Sequence, residues 1–287
     1  MQEMQFVDPI LHVSLTHECQ GYRSTKGFFF PVKNGIPTFI SEEFEKYMTQ
    51  QRSGLLNKFK TALRHFPLAY IWLAKIFGPV CFTGLSARKF LRRFDQSHIV
   101  VNLGAGVHRY GKSIINVDIF PYVGVDIVAD ALATPFPTNS IDGLVCEYLL
   151  EHVPDPSRII QEILRVLKPG GFAYIAIPFM YPFHDSPNDY YRWSEEGLRQ
   201  LCRNAKVVQH GIRCGPTSAL VAQITTWLAI VFSFGSKTLY SAFSILFLLL
   251  TFPFKYFDLI LQFFPTSSYG AACCYIVICK QNEINAI

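Results

Sequence analysis

Short apolar runs containing β-branched residues recur along the middle of the chain, at His98–Leu103, Ser113–Asp118, Val125–Ala129, Gly143–Cys146 and Phe172–Ile177. Runs of this length and composition predict buried strands. Between the last two, a helical pattern extends from about Pro156 to Leu167, and Lys168-Pro169-Gly170-Gly171 stops that helix and turns the chain into the next strand. Strands alternating with helices predict an α/β fold, with a parallel sheet covered by helices on both faces.

The flanking regions read differently. Residues 1–45 mix polar and aromatic positions, with turn signals at Lys26-Gly27 and Lys33-Asn34-Gly35 around the run Gly27–Val32, which predicts a small β unit. Residues 46–97 form a helical connector with a break at Phe77-Gly78-Pro79. Its stretch Phe66–Phe82 is apolar apart from Lys75 and is flanked by Lys58, Lys60 and Arg64 before and Arg88, Lys89, Arg92 and Arg93 after. That pattern fits a helix lying on a membrane surface and equally a core helix with a solvated basic end.

Residues 98–287 make up the main domain, with a hydrophobic helical insertion at 217–266. Two apolar runs, Ala219–Phe234 and Leu239–Phe254, flank Gly235-Ser236-Lys237, and Ala271–Cys279 is a strand-like run beyond them. As helices the two runs are each roughly 24 Å long, short of the ~30 Å hydrocarbon core of a bilayer. If Ala271–Cys279 completes the sheet, the chain returns to the side it left, so a single crossing is impossible. Lys237 at the tip disfavours full spanning. The expectation is a monotopic, membrane-embedded hairpin on the cytosolic face, the alternative being an apolar oligomer interface.

Composition agrees. Half of the 287 residues are hydrophobic, 26 are Phe, and only 16% are charged, below the quarter usual in soluble domains. The net charge of +5 suits anionic lipid or nucleic acid. None of the eight cysteines forms a C-x-x-C pair, so they are expected as reduced packing thiols in a cytosolic compartment. The N-terminus lacks the basic-then-apolar run of a signal peptide.

Candidate chemistry begins where the strand Val100-Val101-Asn102-Leu103 runs into Gly104-Ala105-Gly106. Glycines let backbone approach a ligand closely, and such a loop at the head of a doubly wound sheet lies where cofactors bind. Asp118 ends the next strand, where an acid accepts hydrogen bonds from ribose hydroxyls; the bland alternative is a solvated turn residue. Asp130, after the third strand, is placed to accept from an adenine amino group.

Taken with Asp130-Ala131 before Pro135-Phe136-Pro137, Leu150-Glu151-His152-Val153 and Arg165–Gly171, these segments resemble the class I S-adenosylmethionine-dependent methyltransferases, in the broad subgroup that shares the ubiquinone-methyltransferase type of core. The resemblance spans about 100 residues and implies a Rossmann-like, mostly parallel seven-stranded sheet, with the apolar hairpin inserted before the last strand. It also implies S-adenosylmethionine as cofactor. Gly104, Ala105 and Gly106 would face its methionine part, Asp118 its ribose, Asp130 and Ala131 its adenine, and Glu147 would lie near the methyl-transfer site. Two positions depart from the family. Asn102 stands where an acid usually meets the cofactor's ammonium group, and can accept a hydrogen bond there only without charge. His108 replaces the third glycine, with Gly111 further on.

On the substrate side, Pro178–Trp193 crowds histidine, carboxylates, tyrosines and arginine into one loop. It resembles a His-x-x-Pro-x-Asp-Tyr-x-Arg pattern of bacterial methyltransferases from surface-glycan gene clusters. The candidates are His184 as base, Asp185 as its orienting partner or an alternative base, and Arg192 for an anionic substrate group. Against these stand a structural Asp189–Arg192 ion pair and a loop-capping His184. His152 reads as structural.

Residues 7–40 resemble a degenerate form of the zinc-ribbon-like unit related to the activator subunit of certain methyltransferases, on Asp8-Pro9-Ile10 and Phe30–Phe39. With only Cys19 present, the β fold is expected without zinc, and no metal site is expected elsewhere. Because this unit precedes an RNA methyltransferase core in other proteins, RNA is the alternative substrate. The resulting expectation is a methyltransferase acting on a lipid-linked, glycan or other membrane-associated acceptor, at oxygen. A non-catalytic membrane scaffold that keeps the fold is the competing class, and the oligomeric state stays open.

Overall fold

The computed structural model describes residues 5–51, 67–184 and 188–281. Near the N-terminus, β1 (Leu15–Glu18), β2 (Gly21–Ser24), β3 (Phe29–Lys33) and β4 (Ile36–Pro37) form an antiparallel sheet in chain order. The β3–β4 turn is made by Asn34 and Gly35, at φ 50° and 79°, a left-handed backbone that these two residue types tolerate best. The β unit does not stand apart. Phe39 donates its amide to the carbonyl of Val128 at 2.7 Å, and Val7 to that of Pro135 at 2.9 Å. Phe6 stacks edge-on against both Tyr22 and Phe39. Helix α1 (Glu42–Gln51) follows.

The central sheet contains β5 (Val100–Leu103), β6 (Ile114–Asp118), β7 (Ile127–Val128), β8 (Ile141–Glu147), β9 (Leu167–Pro178), β10 (Lys206–Cys214) and β11 (Cys273–Cys279). Their order is β10-β11-β9-β8-β5-β6-β7. From β5 to β9 all pairings are parallel, while β11 runs antiparallel to both β9 and β10. This is the mostly parallel, seven-stranded sheet expected from the sequence. β10 has no counterpart among the apolar runs, because Lys206, Gln209, His210 and Arg213 break its pattern. It is an edge strand with two register shifts, and its outer side needs no apolar residues.

One face is covered by α4 (Pro156–Val166) and α5 (Glu195–Leu201). α4 starts with proline, whose missing N–H costs nothing in the first turn, and buries Ile159, Ile160, Ile163 and Val166 along one stripe. Each such side chain contributes about 1.5–3 kcal/mol of burial. On the other face, the short α3 (Ala87–Leu91) lays Phe90 on Tyr174, which stacks on Tyr275. Coverage there stops at β8. Residues 104–113, between the parallel β5 and β6, contain no helix, because a helical crossover takes about a dozen residues or more. Asn102, Asn116 and Asp126 occupy that uncovered part of the face as a polar ladder.

The apolar insertion leaves the sheet at Cys214 and returns at Cys273, and these two residues are register partners. It comprises α6 (Pro216–Ser233), α7 (Lys237–Thr251), a 3₁₀ segment Phe252–Phe257, α8 (Asp258–Leu261) and a final 3₁₀ turn Pro265–Gly270. Phe232, Phe243 and Phe247 interlock the two long helices. α2 (Pro67–Phe77) joins them through Phe77 on Phe252, with ring centroids 5.1 Å apart. By length and composition, Pro216–Ser233 and Lys237–Leu261 are each sufficient to cross a membrane. α7 buries no residue, and Trp227, Phe234, Leu250 and Phe263 are 61–87% exposed. Of the basic flank read before α2, Lys58, Lys60 and Arg64 lie outside the described residues, as does Phe66.

Candidate active site

The strand order reverses between β5 and β8, since β6 and β7 extend to one side and β9 to the other. A crevice at the carboxyl ends of such a pair is where open α/β sheets bind ligands. Leu103, Glu147 and the glycine loop all lie at that edge.

Gly104 and Gly106 hold φ 69° and 51°, which glycine adopts without the penalty other residues incur. A Cβ on Gly104 would meet Leu149 at 2.9 Å, whereas one on Gly106 would meet nothing within 4 Å among the described residues. The loop is tied down from β6. Ala105 donates its amide to the carbonyl of Val117 at 3.0 Å, and Gly106 to Oδ2 of Asp118 at 2.7 Å. Oδ1 of Asp118 accepts from the amide of Phe120 at 2.9 Å. The acid assigned to ribose is therefore also the anchor that shapes the glycine loop. Asp130 follows β7 and accepts from the amide of Leu132 at 2.9 Å, and burial pushes its carboxyl above the ordinary range. A left-handed glycine cradle beside open space, with acids beyond β6 and β7 on one edge, fits an adenosyl cofactor. Ala105 is buried beneath the loop and Ala131 is half-buried beside Asp130.

Asn102 has a different setting from the one the resemblance implies. It is buried, and its amide nitrogen donates to Oδ1 of Asn116 at 3.1 Å and to the carbonyl of His108 at 3.2 Å. Asn116 in turn donates to Asp126 at 2.9 Å. The amide thus holds together the face that lacks a helix. A cavity of about 550 Å³ opens on this face, lined by Arg88, Arg109, Lys112 and Asp126 among others, and by none of Gly104, Gly106, Asp118, Asp130 or Glu147. Glu147, at the end of β8, accepts a hydrogen bond from the hydroxyl of Tyr110 and faces Nε of Arg213 at 3.7 Å. Tyr148 follows at φ 55°, a strained backbone of the kind found at functional sites.

The substrate loop is knitted to the same edge. Arg192 pairs with both carboxylate oxygens of Asp189 and donates to the carbonyls of Tyr181, Pro182 and Tyr191 at 3.0, 2.9 and 2.7 Å. Its guanidinium closes the loop, the structural alternative for this residue. Asp185 lies outside the described residues. His184 presents Nδ1 to Pro182, Asp189 and Arg192 at 3.2–3.4 Å, while Nε2 faces Glu151. Burial lowers its pKa, so a neutral imidazole is favoured at pH 7.

Glu151 is the residue that sequence reasoning passed over. It is fully buried in a 3₁₀ turn, Leu150–His152, and among the described residues neither carboxylate oxygen has a hydrogen-bond partner. Burial pushes its carboxyl up to about 8. Nitrogen and oxygen atoms of Glu151, His152 and His184 lie within 4.8 Å of one another. The available signal was an acid directly after the apolar pair Leu149-Leu150, just past a strand end.

Comparison with known proteins finds similarity to methyltransferases. A family model described as a methyltransferase domain matches residues 80–175. The ubiquinone biosynthesis O-methyltransferase of Cupriavidus pinatubonensis is 41% identical over 51 residues, 18% of this chain and 20% of that protein. Its counterpart from Xanthomonas oryzae pv. oryzae is 49% identical over 39 residues, 14% of this chain and 16% of that protein. The chain thus spans about a fifth of the length of the curated relatives it matches. Among solved structures, phosphoethanolamine N-methyltransferase 2 of Haemonchus contortus aligns with TM-score 0.47 and 16% identity over 88% of this chain and 62% of that one. The [4+2]-cyclase SpnF aligns with TM-score 0.40 and 16% identity over 64% of this chain and 74% of that one.

Proposed function

We propose that this chain, which carries a class I S-adenosylmethionine-dependent methyltransferase domain, works at a membrane surface and methylates a hydroxyl on a lipid-linked or amphipathic acceptor. The observation that carries the reading is the position of the apolar insertion. It leaves and re-enters the sheet at the carboxyl edge, the edge that bears the glycine loop. At its exit, Phe179 and Met180 donate their amides to the carbonyls of Ala272 and Ala271 at 2.8 and 3.2 Å. The substrate loop and the root of the hairpin are thus one hydrogen-bonded structure. An exposed apolar surface of this extent fits lipid contact, and Phe183, at 73% exposure, extends it to the residue beside His184.

The chain's return to the sheet and the exposed turn at Lys237 favour a monotopic hairpin over a span. In this reading Gly104 and Gly106 hold the methionine part of the cofactor by backbone contacts, Asp118 the ribose and Asp130 the adenine. The bound cofactor supplies an electrophilic methyl group on a sulfonium. The chain's own contribution is to position the acceptor in line and to receive its proton, for which His184 is the base. Oxygen as the acceptor atom draws support from the names of the curated relatives.

The test is methyl transfer from tritium-labelled S-adenosylmethionine into vesicles of total bacterial membrane lipid, beside flotation of the same protein. The wild type is expected to float and to label the organic phase. A variant with Trp227→Ser, Phe234→Asp and Phe263→Ser is expected to lose both. Flotation unchanged in that variant would count against the hairpin, and label confined to added RNA would move the acceptor to nucleic acid.

A further inference from the structure

We infer that the cavity beside β6 is a binding site for a phosphate group. The inference goes beyond the methyl-transfer reading and takes from the proposed function only the hairpin's place in lipid. The cavity opens where no helix covers the sheet, and its volume of about 550 Å³ lies in the range of small-molecule sites. Three cationic side chains, Arg88, Arg109 and Lys112, stand on its wall against one acid, Asp126. Among the described residues, none of the three forms an ion pair with a carboxylate. Oδ2 of Asp126 is already engaged by the backbone and side-chain amides of Asn116 at 2.8 and 2.9 Å. The wall therefore carries more positive than negative charge, in a concavity whose low-dielectric sides concentrate the field.

The cations are suited to phosphate in different ways. Arg109 donates to the carbonyls of Gly106, His108 and Val123. These carbonyls hold its guanidinium in place and leave its charge unneutralised. Arg88 reaches the carbonyl of Arg109 at 3.5 Å, and Lys112 is exposed just before β6. A guanidinium fixed in advance matches phosphate oxygens, and an ammonium adds a mobile point charge. Tyr110 lines the cavity too, and its hydroxyl donates to Glu147. A phosphate held there is one side chain away from the end of β8.

The cavity's position favours a phosphate carried by lipid. Arg88 belongs to α3, and the segment leading into α3 is strapped to the root of the hairpin. Cys81 donates its amide to Oγ of Ser218 at 2.8 Å, and Thr83 to the carbonyl of Arg213 at 3.2 Å. Arg88 comes five residues after Thr83, so it lies at most ~18 Å from that root. A hairpin seated in one leaflet thus holds the cavity within a short reach of the phosphate layer. Lys89 and Arg92, exposed on and just after the same helix, add attraction for an anionic surface without lining the cavity.

The test uses the full-length protein in micelles of an uncharged maltoside detergent at fixed ionic strength, titrated in a calorimeter. The probes are phosphatidic acid, diacylglycerol with the same acyl chains, and inorganic phosphate. The wild type is expected to bind phosphatidic acid about tenfold more tightly than diacylglycerol, and Arg88→Gln with Lys112→Gln to lose most of that difference. Lys89→Gln with Arg92→Gln removes as much charge outside the cavity and is expected to change affinity by about twofold or less, as screened surface charges do. All four residues are exposed, and thermal midpoints equal to wild type without ligand report that the variants are folded. Phosphatidic acid bound more tightly than inorganic phosphate, with both weakened in the cavity variant, supports a lipid-borne phosphate. Equal affinity for the two, both weakened in that variant, supports the site with a soluble phosphate ester as its ligand. Equal loss in the two double variants overturns the inference, by reducing the effect to general attraction of a basic surface. Unchanged binding in the cavity variant overturns it too. So does a wild type that gains nothing from the phosphate of phosphatidic acid and takes up no inorganic phosphate.

Discussion

Lys255 and Asp258, less than one helical turn apart, cap opposite ends of two different helices. Nζ of Lys255 donates to the carbonyls of Lys75, Ile76 and Gly78 at 2.9, 2.9 and 2.7 Å, closing the end of α2. The carboxylate of Asp258 accepts from the amides of Thr217 and Ser218 at 2.8 and 2.9 Å, and from the Ser218 hydroxyl at 2.6 Å, closing the start of α6. Both side chains are buried. Two of the three charges in residues 216–266 thus satisfy helix ends that would otherwise face apolar surroundings, and only Lys237 is left at the tip.

Asp258→Ala removes the cap and leaves two amides without their acceptor. A loss of about 2 kcal/mol is expected, seen as a thermal midpoint a few degrees lower in detergent. Lys255→Met removes the donor that three carbonyls share and should act in the same direction, while the Lys237→Gln midpoint should be unchanged. Equal midpoints for all three variants would show that the helices do not depend on these caps.

Glu151 should tie stability to pH. Its folded pKa of about 8 lies above the ordinary 4.5, so between those values the native state holds a proton that the unfolded chain has released. Its contribution is therefore fully present below about pH 4.5 and is lost as pH rises through about 8. The loss is on the order of a few kcal/mol. Glu151→Gln should flatten the decline in denaturant midpoint between pH 5 and 8. A wild-type midpoint that stays level across that range, or rises, would mean the carboxyl is ionised in the folded protein.

Asn102→Asp would restore the acid that methyltransferases usually carry at this position, yet weaker folding and no gain in cofactor affinity are expected. The carboxylate would face the carbonyl of His108 and Oδ1 of Asn116, both now acceptors of the Asn102 amide. The expected cost is about 1–3 kcal/mol, read from the chemical-denaturation midpoint. Tighter binding of S-adenosylhomocysteine by this variant would show that Asn102 faces the ligand after all.

The parallel core, its cofactor edge and the hairpin before the last strand are all legible in the sequence, because each is written in local apolar runs and glycine turns. Asp118 and Asp130 follow from strand ends alone. What is not legible depends on contacts between distant segments. Asn102 looks like a lapse in a motif until Asn116 and Asp126 stand beside it, although the short connection 104–113 already leaves no room for a helix. Arg192 is chemically suited to an anionic substrate, and only the fold brings the carbonyls of Tyr181 and Pro182 to it. Glu151 lies in the motif Leu150–Val153, but its complete burial is a property of the packed interior. β10 is hidden because an edge strand has one side free to be polar.

The central claim is most directly tested by calorimetric titration of the detergent-purified full-length protein with S-adenosylhomocysteine, beside Asp118→Ala. The account predicts saturable binding by the wild type, weakened tenfold or more in the variant, about 1.4 kcal/mol or greater. A folded wild-type protein that takes up no S-adenosylhomocysteine would contradict it and leave the glycine loop and its acids as remnants in a membrane scaffold.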